Sequence, residues 1–154
     1  MSKKEEKTNV MRVLEQKGIP FTPHTYPHED GVAVDGVTVA RSMGQDPECV
    51  FKTLVARGAS KALYVFDIPV GDTLDLKKAA KAAGEKKVEM IHVKDMFDIT
   101  GYIRGGCSPI GMKKHFPTYI EEMAQLYDTI MVSAGQRGVQ VTLSPEDLRS
   151  YVEG

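Results

Sequence analysis

Between Gly105 and Lys114 the chain reads Gly-Gly-Cys-Ser-Pro-Ile-Gly-Met-Lys-Lys, and no regular helix or strand can run through that segment. Three glycines, a proline and a serine fall within seven residues. Glycine lets a backbone take positive φ or approach a ligand closely, and proline stiffens the path. The remaining N–H groups can converge on an oxygen-rich ligand, as anion-binding nests do. The segment reads as the wall of a binding site. The alternative is a tight structural turn, since Gly and Pro punctuate turns generally.

The rest of the chain is that of an ordinary globular protein. Its 154 residues fit one domain, 1–154, and 42% hydrophobic content suffices for a core. No apolar run is long enough to span a membrane. The polar start, Ser2-Lys3-Lys4-Glu5-Glu6-Lys7, lacks the apolar region of a secretory signal. Two cysteines, Cys49 and Cys107, make no disulfide framework, so a reduced cytoplasmic setting is expected. A formal net charge of −1 argues against non-specific coating of nucleic acid, DNA included. It leaves room for a local basic patch that grips an RNA end. Lys77, Lys78, Lys81, Lys86 and Lys87 form one basic run, and Lys113, Lys114 and His115 another. Each reads equally as a plain solvated face.

Periodicity predicts helices over 5–17, 36–44, 76–83 and 93–99, and a terminal helix opened by Ser144 and Pro145. Asp75 is the expected N-cap of the third, with Gly84 just past its end. Strands are predicted over 50–56, 62–70, 88–90, 117–121, 129–133 and 139–143, with 19–26 extended at best because of Pro20 and Pro23. Strands and helices alternate irregularly with hairpin-length links. That pattern predicts a mixed α/β (α+β) sheet flanked by helices, not a regular doubly wound fold.

Lys52 lies inside the strand Val50-Phe51-Lys52-Thr53-Leu54-Val55 and shares a face with Leu54 and Ala56. A lysine at the edge of a core suits a phosphate or carbonyl oxygen, and equally could snorkel at a strand end. His24 and His28 are four apart, but the flanking prolines forbid the helix that would make them a metal pair, so no metal is expected. Tyr26, between them, could stack on a base or pack as a half-buried ring. Cys107 would need a base to act as a nucleophile; His92 and His115 exist, but no local signature fits. Gly106 and Gly111 share the spacing of the nucleotide-binding phosphate loop, yet Met112 stands where lysine is required.

Phe51-Lys52-Thr53-Leu54, Leu74-Asp75-Leu76-Lys77-Lys78, Lys86-Lys87-Val88-Glu89-Met90, Thr100-Gly101-Tyr102, Gly105-Gly106-Cys107-Ser108-Pro109-Ile110-Gly111 and Ser133-Ala134-Gly135-Gln136-Arg137-Gly138 occur in that order. The set resembles the YbaK/EbsC proteins of the bacterial aminoacyl-tRNA deacylase superfamily, which includes the editing domain of some prolyl-tRNA synthetases. The resemblance spans nearly the whole chain. It implies a barrel-like mixed sheet and removal of cysteine from Cys-tRNA(Pro), and also from Cys-tRNA(Cys), without a cofactor or metal. It implies as partners the aminoacylated 3′ end of tRNA and a prolyl-tRNA synthetase that supplies tRNA choice. The substrate's own thiol would attack its carbonyl. Lys52 matches the family's key lysine, expected to hold the terminal adenosine or to stabilise the oxyanion. Gly105, Gly106, Ser108, Pro109 and Gly111 match the loop that cradles the aminoacyl group. Tyr26, Ser133, Gly135 and Arg137 match other pocket positions. Gln140 replaces a frequent acid, and Asp35 replaces an aromatic residue found in one branch. Two other readings remain: a hydrolytic deacylase for Ala-tRNA(Pro), and a non-catalytic module that binds tRNA ends.

Overall fold

The computed structural model describes residues 7–26, 36–104 and 106–153. Its elements are α1 (Asn9–Gln16), β1 (Thr22–Thr25), α2 (Gly36–Ser42), β2 (Phe51–Gly58), β3 (Leu63–Pro69), α3 (Leu76–Ala83), β4 (Val88–Met90), α4 (Val93–Thr100), β5 (Thr118–Ile120), β6 (Ile130–Gln136), β7 (Val139–Leu143) and α5 (Pro145–Glu153). Helix starts follow local chemistry. Thr8 Oγ1 accepts from Met11 N, so α1 begins at Asn9, later than periodicity alone predicts. Asp75 Oδ1 accepts from Lys77 N and Lys78 N at 3.0 and 3.1 Å. Ser144 Oγ caps α5 by accepting from Glu146 N and Asp147 N. The strand predicted over 129–133 runs on to Gln136, because a register shift after Ser133 absorbs Gly135 into β6.

Two mixed or antiparallel sheets form, in the orders β1-β7-β6 and β4-β2-β3-β5. Only the β3–β5 pair is parallel within them. One isolated parallel bridge, Val50 to Met131, joins the sheets where β2 begins. Among the described residues the strands form a mixed arrangement flanked by helices, as expected, but split into two sheets without closing into a barrel. The main core lies on one face: Val10 and Leu14 of α1, Phe51, Val55 and Val65, Val132 and Val141, and Leu148 and Val152 of α5. The opposite face carries two smaller clusters. Ala79 and Ala80 of α3 pack on Ala56, Phe66 and Val88, where small side chains let the helix approach closely. Ala40 of α2 packs with Val50, Val70 and Met131.

Candidate functional site

The junction of the two sheets aligns side chains from four strands. Val50 and Met131 share the bridge and the α2 cluster. Side chains alternate along a strand, so two residues further along both strands Lys52 and Ser133 reach that same face. Ser133 pairs with Gln140, and Gln140 pairs with His24; directly paired residues share a face. Lys52, Ser133, Gln140 and His24 thus form one row across β2, β6, β7 and β1, roughly 14 Å long at about 4.8 Å per strand. Tyr26 follows His24 by two residues and is buried, its N–H donating to Gly138 O at 2.9 Å.

The row is polar and incompletely satisfied. Lys52 is half-buried and makes no hydrogen bond or ion pair among the described residues. Ser133 Oγ accepts from Gly135 N at 3.1 Å, which leaves its hydroxyl hydrogen available. Gln140 is 8% exposed, and its Oε1 has no partner among the described residues. A buried acceptor without a donor costs about 1–3 kcal/mol. His24 Nε2 is hydrogen-bonded to Thr142 Oγ1 at 2.8 Å. Among the described residues no three His, Cys, Asp or Glu side chains could gather round a metal ion.

The glycine segment is wedged into the fold. Gly106 N donates to Ile103 O, and a Cβ at Gly106 would lie 3.0 Å from Gln136 Cα, so this glycine lets the segment touch the β6–β7 turn. Arg137 Nε donates to Arg104 O at 2.8 Å and clasps the same contact. Beyond Gly106 the chain turns inward. Cys107, Ser108, Pro109 and Ile110 are buried, Ser108 completely. Ser108 Oγ accepts from Ile110 N. Gly111, at φ +77°, is pressed between Tyr102 and Asn9, and its N–H donates to the Tyr151 hydroxyl. Alternation therefore assigns Lys52 and Ser133 to one face, with Tyr26 two residues beyond His24 at its end. Gly106, Gly135 and Arg137 meet at the turn beside it. Ser108 and Pro109 are buried in the segment, and Gly111 is packed against Tyr102 and Asn9. Gly105, Asp35 and His28 lie outside the described residues.

Burial raises the Cys107 thiol to about 12, with the nearby Asp67 carboxylate adding to the effect. Such a thiol is not a nucleophile at neutral pH, and no histidine is among the groups acting on it. His92 and His115 are exposed. Asp67 is the residue that sequence reasoning missed. It projects from β3 into the main core beside Thr53, opposite in direction to Lys52. It is fully buried, accepts the Thr53 hydroxyl at 2.6 Å and leaves Oδ2 without a partner. Burial raises its carboxyl from 3.8 to about 7, against the lowering effect of Thr53. The signal was present in Val65-Phe66-Asp67: an acid in phase with Val65 on a strand whose alternate residues are core.

The sequence profile of the aminoacyl-tRNA editing domain matches residues 32–151. The chain belongs to that family. A candidate Cys-tRNA(Pro)/Cys-tRNA(Cys) deacylase, EbsC of Enterococcus faecalis, is 50% identical over 153 residues, covering 99% of this chain and 92% of that protein. The uncharacterised YwhH of Bacillus subtilis is 24% identical over 113 residues, covering 73% of this chain and 71% of its own. Among solved structures, a candidate trans-editing enzyme for prolyl-tRNA synthetase superposes with a TM-score of 0.78 at 22% identity, covering 94% of this chain and 90% of that one. The hypothetical protein APE2540 gives 0.81 at 18% identity, over 92% and 91%. At such identities these two establish the fold. No helix among the described residues of this editing domain is long and apolar enough to cross a membrane.

Proposed function

We propose that this chain is a trans-editing deacylase that releases cysteine from Cys-tRNA(Pro) and Cys-tRNA(Cys). Family membership and the 50% identity to EbsC support the substrate class. The observation that carries the reading is the row in which Ser133 lies between the Lys52 ammonium and the Gln140 amide oxygen, neither of which has a partner among the described residues. A cation and a free acceptor two strands apart, about 10 Å, suit a ligand with both oxyanion and ammonium groups. In this reading Gln140 Oε1 accepts from the α-ammonium of the cysteinyl group. Lys52 faces the terminal phosphate or the developing oxyanion.

The reacting ester joins the cysteine carbonyl to a ribose oxygen of the terminal adenosine. The substrate sulfur attacks that carbonyl carbon and forms a C–S bond. The C–O bond to ribose breaks, and the thiol proton passes to the ribose oxygen. The released thiolactone is then opened by water to free cysteine. No protein nucleophile is required, in keeping with the neutral, buried thiol of Cys107. The protein acts by holding the thiol near its own carbonyl and by stabilising charge. Selection between tRNAs falls to a prolyl-tRNA synthetase partner.

Replacing Lys52 by alanine is expected to lower deacylation of Cys-tRNA(Pro) by about 10²-fold or more, the usual cost of a lost charge-stabilising donor. The urea midpoint should stay near that of the parent, since Lys52 has no partner to lose among the described residues. Full activity in this variant would refute the assignment. Ala-tRNA(Pro), lacking the thiol, should be inert; turnover equal to that of the cysteinyl substrate would replace self-cleavage with plain hydrolysis.

A further inference from the structure

We propose that the lysine-bearing face of α3 is a docking surface for the phosphodiester backbone of the tRNA, separate from the site that takes the aminoacylated terminus. The inference rests on the deacylase reading for the identity of the ligand. Its geometry is independent of it. Ala79 and Ala80 press α3 onto Ala56 and Phe66, and Ala56 alternates onto the face of β2 that carries Lys52. The helix therefore lies on the same side of the sheet as Lys52.

The direction of α3 is fixed by its flanks. Pro69, paired with Phe51, leads into α3 from the Lys52 end of the sheet. The segment after α3 returns at the far end, where Ala59 N donates to Lys87 O. Lys77 and Lys81 are one turn apart on one flank, and Lys78 lies toward the other, at a hollow that also holds Asp72, Asp75, Glu121 and Glu122. Lys86 and Lys87 continue the line. From the Lys52 row to the Gly58–Val88 pair is six strand residues, roughly 20 Å. The result is a cationic track leading away from the row. At about 3.4 Å per nucleotide along a strand, that length spans several phosphates.

The lysines are also uncommitted. Lys87 pairs with Glu89 at 3.2 Å. Lys77, Lys78, Lys81 and Lys86 have no ion-pair partner among the described residues, although all are exposed. The neighbouring acid, Glu85, is turned to the sheet. Its carboxylate accepts from Ser60 N and Oγ and from the Tyr64 hydroxyl. A shallow hollow of about 360 Å³ between Lys77, Lys81, Lys86 and Lys87, with Glu85 as its one acid, faces solvent. Flexible, strongly hydrated ammonium groups in a line suit phosphates contacted as point charges, without base readout.

The test combines Lys77→Ala, Lys78→Ala, Lys81→Ala and Lys86→Ala in the full chain, with the four-fold Lys→Arg variant as a charge-preserving control. Uncharged tRNA(Pro) binding is measured by fluorescence anisotropy over a salt series. Deacylation is measured on Cys-tRNA(Pro) and on cysteinyl-adenosine. The alanine variant should bind tRNA at least about tenfold more weakly, with the slope of log K against log salt reduced by roughly 3. Its kcat/KM should fall on the tRNA substrate and hold on cysteinyl-adenosine, while the arginine variant behaves as the parent on both. Unchanged tRNA affinity and salt slope would overturn the proposal and leave the track to an acidic protein or to solvent. An equal loss on both substrates would also overturn it. If the parent deacylates neither substrate, the deacylase reading fails by itself, and the anisotropy series still decides the surface.

Discussion

Replacing Asp67 by asparagine should remove most of the loss of stability that this protein suffers between acid and neutral pH. Asp67 is completely buried, and among the described residues its carboxyl has one hydrogen bond, from Thr53. Burial disfavours the ionised form, which raises its carboxyl from 3.8 to about 7. In the unfolded chain the group loses its proton near pH 4. In the folded protein it holds the proton to about pH 7. Between these values the folded state binds more protons than the unfolded one, so stability falls as pH rises. The difference of about 3 pH units corresponds to roughly 4 kcal/mol at about 1.4 kcal/mol per unit, an upper bound because water can relax into the site. Asparagine keeps the acceptor for Thr53 and cannot ionise. Urea unfolding of parent and variant from pH 4.5 to 8.5 isolates the effect, because every other titrating group is common to both. The stability difference should be small at pH 4.5, grow in the variant's favour through pH 7 and level off above it. A difference that stays flat within about 0.5 kcal/mol, the scatter typical of a surface substitution, would refute the assignment of a buried, protonated Asp67.

Two further substitutions separate packing from chemistry. Cys107→Ala should leave deacylation intact, since the thiol is buried and held neutral, and should cost roughly 1 kcal/mol for the small cavity; loss of turnover with the fold preserved would make Cys107 a reacting group. Gly135→Ala should lower stability by about 1–3 kcal/mol, because Gly135 sits at φ +97° and an added Cβ would lie 3.0 Å from Tyr102 Cε1 and 3.1 Å from Val10 Cγ2. Thermal unfolding should show a midpoint lower by several degrees, at about 2–4 °C per kcal/mol for a chain of this size; an unchanged midpoint would mean that the bulge relaxes freely.

Local chemistry was the legible part of this fold. Asp75, Gly84 and Ser144 announce helix ends through side-chain acceptors and a left-handed glycine, and the structure uses all three in those roles. Lys52 was legible because a charge in phase with Leu54 and Ala56 breaks an apolar strand. What alternation cannot supply is which strands become neighbours. The meeting of Lys52 with Ser133 depends on one bridge between residues 81 positions apart, Val50 and Met131, and no local pattern encodes it. The glycine segment was legible as a special loop, but not the use to which the loop is put. Gly, Ser and Pro at 106–111 have the same composition whether a loop cradles a ligand or threads between packed rings. Here Tyr102 and Tyr151 take up the freed space: one hydroxyl donates to Ile110 O, and the other accepts from Gly111 N. Small residues at that place let two tyrosines and the β6–β7 turn close over the segment. The backbone freedom of the segment allows these close contacts. The same contacts hold Gly106 and Arg137 at the edge of the Lys52 row, so packing of the segment positions the rim of the proposed site.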